Sequence, residues 1–229
     1  MMLTAYASGS TGNAFDVCDG HTRLLLECGL PFKRLQALAG HALTGVSGVL
    51  ITHEHMDHAK AAQELHRRGA EIYASAGTLE ALHLAGPNVH PLEPYAWARI
   101  GSLYIQPFDV YHDVAQPFGY TFYSALTHER AVFATDTYKL PHTFPGATEL
   151  AIECNYSDEL IMHSNAPDPL KRRIKRNHMS LESCKDFLCR SDLSTVRRIM
   201  LIHLSAERSD AARFKREIAA LTGKEVVIA

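Results

Sequence analysis

The sequence predicts an α/β fold in which two mixed sheets lie face to face with helices on both outer sides, an αββα sandwich filling one domain over residues 1–229. Three observations predict it. Strand-like and helix-like stretches alternate as a β-rich half, helices, a second β-rich half and helices again. Polar residues able to hold a metal stand at the ends of apolar strands four times over, at His53, His112, Asp136 and His203. The densest of these places, His53-Glu54-His55-Met56-Asp57-His58, follows the apolar run Val49-Leu50-Ile51-Thr52.

Taken in order, Leu3 to Ala7 reads as a first strand that ends in the Gly/Ser cluster Ser8-Gly9-Ser10-Thr11-Gly12-Asn13. Such a cluster can aim backbone N–H groups and hydroxyls at an anion; read alone, it is equally a tight turn between strands. Phe15 to Cys18 and Thr22 to Cys28 form a hairpin around Asp19-Gly20, and Gly29 and Pro31 open a helix with Phe32, Leu35 and Leu38 at helical spacing. After the histidine-rich stretch, Asp57 to Arg68 is expected as one helix, with Asp57 against the positive end of its dipole and Gly69 as its stop. Glu71 to Ala74 is a short strand, Thr78 to Leu84 a helix, and Pro87, Pro91 and Pro94 mark a loop-rich crossing. Leu103 to Ile105 is a strand leading to His112, and Phe118 to Tyr123 with Ala131 to Thr135 is expected as a hairpin that ends at Asp136. Glu149 to Cys154 is the next apolar strand, and the segment 155–177 is the least regular part. It carries the basic run Lys171-Arg172-Arg173-Ile174-Lys175-Arg176, ordinarily a solvated helix face, directly before Asn177-His178-Met179-Ser180. Ser180 can cap a helix over Leu181 to Leu188. Ile199 to Ile202 is a strand ending at His203, Asp210 to Leu221 a helix closed by Gly223, and Val226 to Ile228 a last strand.

With 46% hydrophobic residues the chain can bury a sizeable core, and its net charge of −2 gives no global attraction to nucleic acid or anionic membrane. The 5 cysteines lack CxxC spacing and read as buried apolar residues of a reducing compartment. Neither an N-terminal signal peptide nor a membrane-length apolar run is visible, so a cytoplasmic protein is expected.

His53 and His55 alternate along one extended edge, so both imidazoles can face the same metal, while Asp57 and His58 follow at a turn and can face a second. Imidazole plus carboxylate suits zinc, manganese or another transition metal better than calcium or magnesium. His112, Asp136 and His203 complete the set, and an aspartate at a strand end can reach both ions with its two oxygens.

The HxHxDH pattern resembles the signature of the metallo-β-lactamase-fold hydrolases, and the later His, Asp and His extend that resemblance over nearly the whole chain. It implies seven metal ligands, His53, His55, Asp57, His58, His112, Asp136 and His203, around two divalent ions, zinc first. Asp136 stands where β-lactamases typically carry cysteine, and His55 where flavin-linked diiron reductases typically carry glutamate. Ser8 to Asn13 resembles the SGSxGN opening of the WalJ/YycJ group of nuclease-like proteins. His112-Asp113 with Pro117 to Tyr120 resembles that group's third-ligand segment, and Asn177 to Ser180 its GHLS segment, with asparagine for glycine. RNase Z carries a comparable extra histidine. Glu27 replaces the family's buttressing aspartate, and the continuation after His203-Leu204-Ser205 departs from WalJ towards phage-type relatives that include the anti-Pycsar proteins.

From this resemblance a binuclear phosphodiesterase is expected, in which the metals lower the pKa of a nucleophilic water towards ~7. Asp57 would fix metal and orient the nucleophile, and His178, with an ordinary pKa of about 6.5, would protonate the leaving oxygen. Ser8, Ser10, Thr11, Asn13, Asn177 and Ser180 would bind substrate. The compact chain favours a 3′,5′-cyclic mononucleotide as substrate. A WalJ-like exonuclease on single-stranded DNA or RNA is the alternative, and a non-catalytic metal-binding module is the alternative of another class. The resemblance also implies a homodimer.

Overall fold

Short apolar stretches broken by Gly, Pro and Asp give many short strands in the computed structural model, which describes residues 1–40 and 43–229. They belong to two mixed sheets flanked by helices, as the sequence predicts for the sandwich. The chain divides into two compact units, residues 1–109 with 114–129, and residues 110–113 with 130–229.

In the first unit six strands form one sheet in chain order: β1 (Met2–Ala7), β2 (Ala14–Cys18), β3 (Arg23–Leu26), β4 (Gly48–Leu50), β5 (Ile72–Ser75) and β6 (Val89–Leu92). The first three pair antiparallel and the rest parallel. Helices α1 (Phe32–Ala39), α2 (Met56–Ala59), α3 (Ala62–Arg67) and α4 (Ala76–Ala81) connect them, and Leu25, Leu35, Val49, Ile51, Leu65, Ile72 and Leu79 share one core. The same unit holds an antiparallel meander of β7 (Ala98–Ile100), β8 (Leu103–Asp109) and β9 (Phe118–Ser124). Where a proline-marked loop crossing was expected, β6 runs through Pro91; it is the edge strand of its sheet, the place where a missing ladder donor is tolerated. The fully buried Tyr120 of β9 donates its hydroxyl to the Ile51 carbonyl at 2.7 Å, and the Phe118 N–H bonds the Thr52 carbonyl at 3.0 Å. These bonds fix the strand end that carries His53.

A second tie within this unit is polar. The buried Asp19 carboxylate accepts N–H groups of His21 and Thr22 at 3.0 and 2.9 Å and hydroxyls of Ser102 and Ser124, both at 2.7 Å. Burial alone would raise its pKa, but these four donors lower it from 3.8 to about 2. A depressed carboxylate stabilises the fold fully above its unfolded pKa. About 2 kcal/mol is therefore expected to be lost as pH falls from about 4 to about 2. Asp19→Ala should remove that acid-sensitive component and cost about 3 kcal/mol at neutral pH, read from denaturant midpoints; an unchanged midpoint would refute it.

The second unit holds a parallel run of β10 (Arg130–Ala134), β11 (Glu149–Glu153), β12 (Arg198–Ile202) and β13 (Glu225–Ile228). Its helices are α5 (Asp158–His163), α6 (Asp168–Asn177), α7 (Leu181–Arg190) and α8 (Ala211–Thr222). α7 buries Leu181, Cys184, Phe187 and Leu188, and α8 buries Phe214 and Ile218, each set at helical spacing. Residues 155–177, expected to be irregular, carry two helices. Ser157 caps α5 through the Leu160 N–H at 3.2 Å, and Pro169 sits in the first turn of α6, where its missing N–H costs no ladder bond. No helix among the described residues is long and apolar enough to cross a membrane.

Candidate metal centre

The histidine-rich turn of the first unit is held mainly by backbone. The expected single helix after it is split into α2 and α3 because Cys28 inserts into its ladder: the Cys28 N–H bonds the His58 carbonyl at 2.7 Å and its carbonyl accepts the Ala61 N–H at 2.8 Å. Asn13 closes the turn from the other side, its backbone N–H and its side-chain amide both donating to the Asp57 carbonyl, at 2.8 and 3.1 Å. Gly29 lies against the same peptide, so close that a Cβ there would overlap the Asp57 carbonyl. Gly29→Ala must therefore push the Asp57–His58 peptide aside. It is expected to lower both bound metal and melting temperature, and a variant with full metal content would overturn this account.

Within the turn, His53 and His55 lie 4.9 Å apart between ring centroids and His53 and His58 4.1 Å. The Thr52 hydroxyl meets His53 Nδ1 at 2.9 Å, so Nε2 is the atom with which His53 could meet a metal. Asp57 Oδ2 and His58 Nε2 stand 3.5 Å apart, while the buried Glu27 faces His58 Nδ1 at 3.6 Å and accepts the Thr52 N–H at 3.2 Å. Of the residues expected to bind substrate here, Ser10 and Thr11 are exposed and Ser8 half-buried. Asn13 is buried, its side chain occupied by Gly9 and Asp57 backbone groups.

In the second unit Asp136, just past β10, directs its two oxygens at two different histidines: Oδ2 lies 3.7 Å from His112 Nε2 and Oδ1 3.5 Å from His203 Nε2. Both Asp136 and His203 hold positive φ, at 47° and 55°, a conformation that persists at a strand end only when neighbours enforce it. His112 Nδ1 bonds the Asn177 carbonyl at 3.2 Å, and the Asn155 amide donates to the His203 carbonyl at 2.7 Å. Ligand atoms of Asp136, Glu153, His178 and His203 all lie within 4.8 Å of one another.

Glu153, at the end of β11, is the residue that sequence reasoning missed. Fully buried, it accepts His178 Nδ1–H at 2.7 Å and the N–H groups of Thr137 and Met179 at 2.8 and 3.2 Å. Burial opposes charge on both partners, yet their mutual attraction prevails: the His178 pKa is raised and that of Glu153 lowered. His178 stacks on His203 with centroids 5.3 Å apart. Ser180 is buried and caps α7 through the Ser183 N–H at 3.1 Å, as expected of it, and Asn177 is buried as the last residue of α6.

A family model described as a beta-lactamase superfamily domain matches residues 22–204. The chain belongs to this superfamily. It is 31% identical to exodeoxyribonuclease YycJ of Bacillus anthracis over 225 residues, covering 90% of this chain and 83% of the relative. It is 29% identical to exodeoxyribonuclease WalJ of Streptococcus pneumoniae, covering 89% and 81%. The structure of the short form of human tRNase Z (ELAC1) is similar over 100% of this chain and 96% of that one, with a TM-score of 0.65 and 17% identity, which speaks for the fold.

The residues present fit the metal chemistry of the superfamily. Two ligands about 2.1 Å from a tetrahedral ion stand roughly 3.4 Å from each other. The pairs Asp57–His58 and Asp136–His203, each 3.5 Å apart, meet that spacing without rearrangement. The all-nitrogen-and-oxygen donor set accommodates zinc or manganese. The chain is a metallo-hydrolase of the superfamily with nuclease homologues.

Proposed function

We propose that the chain is a metal-dependent exonuclease that hydrolyses phosphodiester bonds of single-stranded nucleic acid, DNA first. In this reading residues 1–229 are one domain, and the metal-holding residues are His53, His55, Asp57 and His58 of the first unit and His112, Asp136 and His203 of the second. When bound, the two divalent ions supply a water acidic enough to attack at neutral pH. Asp136, with one oxygen towards His112 and the other towards His203, would hold metal together with both histidines, and Asp57 would orient the nucleophile. His178, held by Glu153 through Nδ1, gives the leaving oxygen its proton from Nε2. Ser8, Ser10 and Thr11 bind phosphate, with Asn13 shaping that loop.

The observation that carries the substrate class is helix α6. Its Arg172 and Arg176, both exposed and four residues apart on one face, run along the helix that ends at His178. Two exposed guanidinium groups on the helix that ends at the proton donor suit a phosphate backbone better than a single phosphate. The named exodeoxyribonuclease relatives support the same reading. A 3′,5′-cyclic mononucleotide, favoured by the compactness of the chain, is the second reading.

The test is to load the protein with zinc or manganese and offer single-stranded DNA, RNA, cyclic AMP and cyclic UMP side by side. Progressive shortening of DNA from one end, with binding that weakens steeply with salt, is expected. Cleavage of cyclic nucleotides alone would replace this reading with the second. A protein that binds metal yet cleaves none of these substrates would point to the non-catalytic module. The mass of the loaded protein in solution reads the expected homodimer.

A further inference from the structure

An exposed tyrosine, a half-buried one and an exposed lysine flank the candidate ligands of the second unit. Tyr111 precedes His112, while Tyr138 and Lys139 follow Asp136 after Thr137. The two rings lie 5.3 Å apart between centroids at 50°, and Lys139 Nζ stands 4.9 Å from the Tyr111 ring and 5.2 Å from the Tyr138 ring. Tyr111 is 41% exposed and Lys139 is exposed, so this is a solvent-facing surface and no part of the core.

The surface is nonetheless rigid at its base. The buried Thr137 hydroxyl donates to the Lys139 carbonyl at 2.8 Å and accepts the Tyr111 N–H at 3.0 Å, while its own N–H bonds Glu153 at 2.8 Å. The strand end that carries His112 is thereby stitched to the strand end that carries Asp136. An aromatic pair anchored on the ligand segments, with an ammonium over both rings, has the make-up of a stacking platform for a flat, anionic ligand.

The geometry points to Tyr111 and Tyr138 as the platform on which the nucleobase beside the scissile phosphate stacks, with Lys139 meeting its phosphate. This rests on the proposed phosphodiesterase reading and gives that site its base-recognition element. Lysine suits the second role because its flexible stem lets the ammonium leave the rings when phosphate arrives. Every base offers a π-face, so the platform favours nucleotides over base-free phosphates while discriminating little among bases.

The test titrates metal-loaded protein with thymidine 5′-monophosphate and with deoxyribose 5-phosphate, which lacks the base. Wild type is expected to prefer the nucleotide by about tenfold or more. The double variant Tyr111→Leu/Tyr138→Leu should lose that preference, and Tyr111→Phe/Tyr138→Phe should keep it. Equal affinities in wild type, or a preference that survives in the leucine variant, would overturn the platform. Thermal unfolding of both variants shows that each is folded. The nuclease reading fails separately: a protein that prefers the nucleotide yet cleaves no diester keeps the platform and loses the nuclease reading.

Discussion

Asp136→Asn is expected to empty at least one metal position and to lower phosphodiester turnover by more than about 10³-fold, because the nucleophilic water then loses its acidifying ions. Asparagine is the informative replacement. It keeps the size of the side chain, and like aspartate it tolerates the positive φ of 47° at this position. Only the charge and one of the oxygens directed at His112 Nε2 and His203 Nε2 are changed. Metal content by elemental analysis and melting temperature of the metal-free protein separate the outcomes. Full metal content with full turnover would sink the proposed metal-holding role of Asp136. Asp57→Ala is expected to produce the same double loss.

His178→Ala is expected to keep the metals and slow turnover by about 10²–10⁴-fold, the range for removing a positioned proton donor. Its partner makes a pH prediction possible. Although burial works against the imidazolium, the Glu153 carboxylate raises the His178 pKa, so the protonated form persists above the usual range near 6.5. As an acid, His178 is active when protonated. The alkaline limb of the rate profile should therefore lie above about 6.5 in wild type and move to lower pH in Glu153→Gln. The same sign holds for stability: the charged pair stabilises the fold fully below the unfolded pKa of His178, and that contribution is lost as pH rises through the raised folded one. A His178→Ala protein that has lost metal would make this residue a ligand, in keeping with its place among Asp136, Glu153 and His203.

Much of the candidate site was legible because four of its candidate ligands stand where an apolar run stops. His53, His112, Asp136 and His203 carry that local mark, and alternation along an extended edge pairs His53 with His55. Glu153 carries the same mark, closing the buried strand β11, but Cys154 follows it and prolongs the apolar pattern. Its role appears only when His178, Thr137 and Met179 converge on it from three segments. Asn13 shows the opposite limit. A Gly/Ser/Asn loop reads as an anion cradle, yet the amide of Asn13 is bonded to the Asp57 backbone 44 residues away.

The sequence by itself determined the fold class, the candidate metal-type residues, and most strands and helices, since these follow from periodicity, turn residues and side-chain chemistry a few residues apart. Only the tertiary structure decided what holds those residues in place. Cys28 splits the helix after the histidine-rich turn, Gly29 leaves room for the Asp57 peptide, and Glu153 holds His178 through its Nδ1. Each is a contact between segments distant in the chain, set by backbone packing that no local pattern encodes.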